Sequence, residues 1–508
     1  MYRVDYESIE SLNRLAVILR DNNSCKVGNV IPPKIAKSMV SLIPDEWFEP
    51  KGDELIEKYK LDLDKYTKNH RVLDICCNSG VLLSMFMNRF YDVLHNYKNF
   101  TEETDLCYEY ILKNLVYGIC SNKFLCREIR GVLYNNKNVH GNIFNYGIYS
   151  EVSSNNFEIR DGKVFIYDSI KKEKIEMKFD IVCGNPPYNN DMYLDFVQLG
   201  HKLSKSYSLW ITPAKFWAKS TCDKDAEFRS LVKNYGDSFV IHKNCKDIFD
   251  ISEPGGIAYY LLGRGNKDSK YRIKCTHKNS VAFQSDFEKH DSLDFLPLST
   301  LNILNKFGKS NFKNTLGLRQ SFYVKNTETG MSEANLGVDI YSGKNLCGSI
   351  SADELFTTDN LDKYKCIQNC ICGSGSFQAD NTGAFLGMPP IYILKPNEVG
   401  KGSFHHLRFF DTNSEATHFV EFMNTKLVNF AYTCGLCGTT NSAEFYRYIP
   451  DPGSFDRIFE DRPLDDYTPD ENGEYIDKDG NKHCSLYVKY GLTDEEIEII
   501  ESVIRERK

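Results

Sequence analysis

Across 508 residues the chain carries 41% hydrophobic and 13% aromatic side chains, enough to bury cores in roughly two to four domains, and a formal net charge of −8. No apolar run approaches the ~20 residues that cross a bilayer, and Asp5, Glu7 and Glu10 interrupt any secretory leader; membrane classes are excluded and a soluble cytoplasmic protein is expected. The 17 cysteines are too sparse for a disulfide scaffold and are expected to be reduced, several as small buried hydrophobes.

In chain order, Ile9, Leu12, Leu15, Ala16, Ile18 and Leu19 recur at helical spacing and predict an N-terminal helix within residues 1–24. Next comes a segment with Gly28, Asn29, Ile31, Pro32 and Pro33. Arg71 to Leu83 then reads as a short apolar strand with an acid, Asp74, at its end, a turn of small residues holding Cys76 and Gly80, and the start of a helix. In a doubly wound sheet such a turn lies where nucleosides bind, because glycine lets the backbone approach and the helix start faces the ligand. Helical stretches surround Leu82–Phe90 and Leu106–Leu115. Leu115 to Ile119 is a strand ending at Cys120, and His140 to Phe144 is another, with Asn142 and Ile143. Phe157 to Ile166 is a hairpin turning at Asp161-Gly162. Strand and helix signals between residues 205 and 262 complete the sheet.

The segment Asp180 to Tyr188 is an apolar strand running into Asn185-Pro186-Pro187-Tyr188. Two prolines fix φ and remove two backbone donors, so the turn presents hydrogen-bond acceptors without local N–H partners. If the Asn185 side-chain oxygen and the Pro186 carbonyl accept from one exocyclic NH2, the nitrogen lone pair is aimed at whatever lies opposite, and Tyr188 offers a face for stacking a planar base.

Taken together and in this order, these segments resemble the gamma class of N6-adenine DNA methyltransferases, motif by motif over residues 25–265 and only in general layout beyond. The resemblance implies an α/β fold: the Rossmann-like sheet of S-adenosylmethionine-dependent methyltransferases, followed by an α+β target recognition domain. It implies S-adenosylmethionine as cofactor and double-stranded DNA as partner, with the target adenine flipped out of the stack. Carried over by position, Gly28, Ile31 and Pro32 belong to the motif at the methionine end of the donor. Asp74, Cys76 and Gly80 belong to the cofactor turn, Cys120 to the ribose position, and Asn142 with Ile143 to the donor's adenine. Asn185, Pro186, Pro187 and Tyr188 form the catalytic motif, Asn185 also facing the donor, and Phe249 is the aromatic closing the other face of the base. The chain departs from the family pattern at Ile31, Ile75, Asn78 and, most of all, Cys120, where a thiol stands for the acid that holds the ribose hydroxyls.

Residues 290–450 show short β-like runs broken by Gly, Asn and Ser, with helical spacing from His418 to Phe430, as expected of the recognition domain. Residues 451–508 are expected to form an acidic hairpin and helix, the latter opening with a Thr493/Glu496 capping box. Asp477-Lys478-Asp479-Gly480 reads as a hairpin turn rather than a calcium loop. Cys366, Cys370, Cys372, Cys434 and Cys437 have poor zinc spacing, and Tyr364–Ile371 reads better as a strand; no metal is expected. Charge is uneven: Arg264–Lys325 has 12 Lys or Arg against five Asp or Glu, whereas Asp451–Lys508 has 17 acids against eight bases. The basic stretch suits phosphates. Lys215 is the candidate phosphate contact after the sheet, and Arg319, Gln320, Asn441 and Arg447 are the candidate DNA contacts of the C-terminal half.

The residues leave other readings open: a methyltransferase of another planar amine, in RNA or a protein glutamine, or an idle methyltransferase-derived DNA-binding protein. More than 200 residues beyond residue 265 favour the DNA enzyme. A separate restriction endonuclease is an admissible partner, and a monomer is adequate for methylating one strand at a time.

Overall fold

A computed structural model describes residues 6–21, 29–101, 104–134, 141–148, 154–214, 223–251, 253, 255–265, 271–275, 281–284, 298–308, 310–317, 337–376, 379–436 and 440–505. The expectations for Gly28, Lys215, Arg319, Gln320 and Cys437, and much of the basic stretch, lie outside them.

Nine strands form the central sheet: β1 (Val72–Asp74), β2 (Val116–Cys120), β3 (Asn142–Asn145), β4 (Phe179–Gly184), β5 (Ser204–Pro213), β6 (Gly236–His242), β7 (Ile257–Gly263), β8 (Tyr271–Cys275) and β9 (Val281–Gln284). Their order is β9-β8-β6-β7-β5-β4-β1-β2-β3. The pairs from β3 through β5 are parallel, and β7 runs antiparallel between β5 and β6. This is the expected Rossmann-like, doubly wound α/β sheet, with two further strands on one edge. The chain builds outward from β1 through β2 to β3, then returns to lay β4 against the other side of β1. A crevice opens where the direction switches, at the carboxyl ends of β1 and β4.

Every residue of β1, β2 and β4 is buried, which explains why these strands read as continuous apolar runs rather than as alternations. Their side chains still alternate between faces. Val72, Ile181 and Cys183 join the helices Val81–Leu94, Thr104–Asn114 and Lys123–Leu133 on one side. Leu73, Ile119 and Val182 pack on the other against helix Met192–Leu203 and the inserted hairpin. That hairpin forms as expected, with Asp161 (φ 55°) and Gly162 (φ 69°) supplying the left-handed pair of a type I′ turn, and Glu173–Met177 adds a third strand. The N-terminal helix, Tyr6–Asp21, buries Ile9, Leu12 and Ala16 against the helices that flank β1 and β2.

The C-terminal half is α+β. One sheet joins Val338–Ser342, Asn345–Ile350 and Glu398–Gly400, and a second joins Tyr364–Asn369, Ile391–Leu394 and Phe404–Phe410. The helical spacing from His418 resolves into two helices, Asn413–Asn424 and Lys426–Gly435, because Thr425 (ψ 150°) leaves the helix and caps the second with its hydroxyl. The acidic tail forms its hairpin and its Thr493/Glu496 capping box. It is not an appendage, however: Cys484, Leu486, Ile497, Ile500 and Val503 enter the same core as Phe312, Phe419, Phe422 and Tyr446. The helix places its acids outward while an i, i+3, i+6 apolar stripe turns in. No helix among the described residues is long and apolar enough to cross a membrane.

Candidate functional site

Asp74 ends β1 in register with Cys183 of β4, two residues before Asn185, so the two candidate motifs meet at neighbouring strand ends. The turn after Asp74 is tied to both neighbours: the Ile75 N–H donates to the Cys183 carbonyl (3.0 Å) and the Cys77 N–H to the Ile119 carbonyl (3.0 Å). Asn78 adopts φ 38°, a left-handed geometry that glycine takes most readily and asparagine tolerates. The departure from the family's glycine therefore keeps the shape of the turn. Gly80 (φ 74°) caps the helix Val81–Leu94 without a side-chain partner, and a Cβ there would fall 2.9 Å from Ile129. With glycine at the cap, no cap side chain accepts from the first-turn N–H groups of this helix, a helix start of the kind that suits a polar ligand.

Asp74 is 1% exposed and accepts from the Cys76 N–H (2.9 Å). Burial pushes its carboxyl up to about 7, with that single hydrogen bond pulling the other way. Cys120 lies at the end of β2, its thiol near the Asn122 carbonyl (3.4 Å). A hydrogen bond from Cys77 lowers the Cys120 thiol, whereas that same bond and burial raise Cys77.

Asn185 leaves β4 with its amide held on one side only. Its Nδ2 donates to the Asn29 carbonyl (2.6 Å), while Oδ1 is enclosed without a hydrogen-bond partner among the described residues. The Tyr188 hydroxyl is enclosed and unpartnered in the same way, its ring half-buried, and burial raises it well above the ordinary phenol range. The Tyr188 ring centroid lies 6.3 Å from that of Phe249 at 61°, an edge contact rather than a parallel slot. Ile31 is buried, its carbonyl accepting from Asn13 Nδ2 (2.9 Å), and Pro32 starts the helix Pro33–Val40. The structure thus brings Ile31, Pro32, Asp74, Cys76, Gly80, Cys120 and Asn185 to one edge of the sheet, with Tyr188 and Phe249 beside them.

Asn142 and Ile143 are not at that edge. Asn142 opens β3 at the opposite end, its Nδ2 donating to the Leu112 (3.2 Å) and Lys113 (2.9 Å) carbonyls, and Ile143 is a core residue. At the carboxyl end of β3 stands Asn145, paired with Cys120 and donating to its carbonyl (2.8 Å).

Two C-terminal candidates are also placed elsewhere. Asn441 is 3% exposed, donates to Gln368 Oε1 (2.6 Å) and the Tyr446 hydroxyl (2.7 Å), and accepts from the Tyr432 hydroxyl (3.4 Å). Arg447 donates to the Gly435 (2.8 Å) and Glu444 (2.6 Å) carbonyls, closing the end of a helix. Cys366 lies in a strand, as expected, and no group of three His, Cys, Asp or Glu among the described residues is arranged to hold a metal.

The fastening of these pieces is not announced by the sequence motifs. The Asn29 carbonyl receives both Asn185 and Asn78, and Asn13 joins Ser79 of the turn to Ile31. One signal was present: Asn13 is a polar residue on the apolar face between Leu12 and Ala16.

No family model matches the chain, and no curated protein matches it in sequence. It is similar in structure to the methyltransferase subunit of a type I restriction-modification system from Streptococcus thermophilus, at 12% identity over 50% of this chain and 48% of that one, with a TM-score of 0.28. The ATP-dependent type ISP restriction-modification enzyme LlaBIII bound to DNA aligns at 10% identity over 98% of this chain and 50% of that one, with a TM-score of 0.43. The DrdV–DNA complex aligns at 12% identity over 88% and 58%, with a TM-score of 0.43. The chain spans about half the length of these solved chains. At such low identity and TM-score, the strand order and the loop geometry carry the functional reading, and the likenesses do not.

Proposed function

We propose that the protein is a DNA methyltransferase that moves a methyl group from S-adenosylmethionine to the N6 amine of an adenine extruded from duplex DNA. The observation that carries this reading is the enclosed, unpartnered Asn185 Oδ1 beside the Asp74 turn, because a buried acceptor left open costs about 1–3 kcal/mol unless a ligand satisfies it. A planar NH2 is the matching donor.

The edge fits a nucleoside donor: a buried carboxyl with one partner, a helix start without a side-chain cap, and apolar Ile31 nearby. When bound, S-adenosylmethionine supplies a sulfonium methyl activated by its own charge. The chain's residues then have only to position and to exclude water. Asp74 and the N–H groups after Gly80 hold the donor. Asn29 fixes the Asn185 amide so that Oδ1 faces the incoming amine, and the Pro186 carbonyl takes its second hydrogen. Tyr188 stacks on the base, and Phe249 turns from its edge contact to cover the other face. Cys120 holds the ribose more weakly than an acid does. The amine's proton leaves to solvent.

The test is to incubate purified protein with unmethylated plasmid and S-adenosylmethionine and to separate the digested nucleosides by mass. N6-methyladenine is expected from the wild type and not from Asn185→Ala. Methylcytosine alone, or no methylated nucleoside from a protein that binds donor, would overturn the assignment.

A further inference from the structure

Ile9, Leu12, Asn13 and Ala16 follow one another at helical spacing on the buried face of the N-terminal helix, and the third of them is polar. Leucine would fill about the same volume, and burying an amide is unfavourable unless its nitrogen and its oxygen both find partners. Both do. Asn13 Nδ2 donates to the Ile31 carbonyl (2.9 Å), and Asn13 Oδ1 accepts from the hydroxyl of Ser79, a residue only 1% exposed.

The two partners lie in the two segments that frame the sheet edge. Ser79 comes directly before Gly80, so the Asn13 amide holds the start of the helix Val81–Leu94. Ile31 closes the stretch 29–31, after which Pro32 and Pro33 bring no N–H, and asparagine side chains do the fastening there. Asn185 and Asn78 donate to the Asn29 carbonyl (2.6 and 3.4 Å), and Asn13 donates to the Ile31 carbonyl two residues on. The stretch is a splint between the Asn185 turn and the Asp74 turn. At 3.4 Å the Asn78 bond is long, so the tie through Asn13 and Ser79 is the firmer of the two that join the splint to the Asp74 turn.

We propose that Asn13 is a positioning residue for methyl transfer, setting from the N-terminal helix the separation between the donor turn and the Asn185 amide. It acts through Ser79 and Ile31. The inference rests on the reading of the edge as a methyl-transfer site and adds the N-terminal helix to it. A group that only held the donor would change donor affinity, and one that only aimed Asn185 would change kcat; Asn13 fixes both turns, so both constants move together. A displacement of about 1 Å at a reacting centre costs on the order of 10²-fold in rate, so a loosened splint is felt there.

The test compares the full chain as wild type, Asn13→Ala and Ile9→Ala, the last shortening a buried apolar side chain one turn away on the same face. Affinity for S-adenosylmethionine is measured by calorimetry, turnover on unmethylated plasmid, and amide hydrogen exchange by mass spectrometry without ligand, all below the melting range. Asn13→Ala should weaken donor affinity and lower kcat, each by on the order of ten-fold, and speed exchange in peptides covering residues 29–36 and 75–84. Ile9→Ala should melt lower yet keep both constants and both exchange rates. Should Asn13→Ala not fold, Ser79→Ala cuts one of its two ties and should shift the same quantities in the same direction. Asn13→Ala matching Ile9→Ala in all three overturns the positioning role and leaves the proposed activity standing. Weakened donor affinity and faster exchange in a protein that methylates an amine other than adenine N6 uphold the positioning role and remove the adenine assignment. A wild type that binds no donor overturns both.

Discussion

The two halves of the molecule spend the same residue type in opposite ways. At the sheet edge the half-buried Asn185 follows a buried strand with one amide atom fixed and the other enclosed but open; in the C-terminal half Asn441 is buried, and its side chain is bonded to Gln368, Tyr446 and Tyr432. The first arrangement keeps a hydrogen bond in reserve, and the second consumes its own to hold three elements together. A buried asparagine is thus evidence of function only when its partners are counted.

The contrast is sharpest in substitution. Asn185→Ala should lower kcat by about 10²–10³, the usual loss when one preorganised polar group is removed from a reacting centre, while donor binding measured by calorimetry persists. Asn441→Ala should do the reverse, costing about 1–3 kcal/mol of stability by stranding buried partners, which a denaturant melt reads directly, and leaving the methylated sequence unchanged. A variant of Asn441 that folds normally but changes sequence preference would erase the distinction.

Asp74 gives a pH test confined to the sheet edge. Burial raises its folded pKa from 3.8 to about 7, so between these values the folded protein keeps a proton that the unfolded chain has released. Its contribution to stability therefore falls as pH climbs through that window and levels off above about 7. A cationic donor favours the ionised carboxyl, so donor affinity should rise by up to about ten-fold per pH unit approaching 7 and then flatten. Calorimetry across pH checks this, and Asp74→Asn should abolish the slope. The smallest effect is expected at Asn78→Gly, where the left-handed turn already forms: within about 1 kcal/mol in a thermal melt, with little change in donor affinity.

The same contrast explains how much was legible in the sequence. The strands β1, β2 and β4, the Asp74 and Asn185 turns and the Asp161-Gly162 hairpin could be read because local sequence alone dictates buried parallel strands and left-handed turns. The resemblance gave Asn142 to the donor's adenine by its place in a motif, and no local signal shows that β3 starts at Asn142 and brings Asn145 level with Cys120. The role of Asn29 is a backbone carbonyl's, which no residue type announces. In the C-terminal half, Arg447 and Asn441 looked like DNA contacts by type, and only their hydrogen bonds identify them as internal ties. Lys365 is a further case: fully buried, its ammonium donates to the Leu361 (2.8 Å), Lys363 (2.7 Å) and Lys395 (3.3 Å) carbonyls, a charge spent on joining loops.

The central claim is that Asn185 presents an acceptor to an adenine amine, and expression in a host lacking adenine methylation, with single-molecule sequencing of its genome, tests it most directly. Full modification of one short motif by the wild type, absent with Asn185→Ala, is the expected result. An unmodified genome from a host holding folded, DNA-binding protein, or modification that persists in Asn185→Ala, would contradict it.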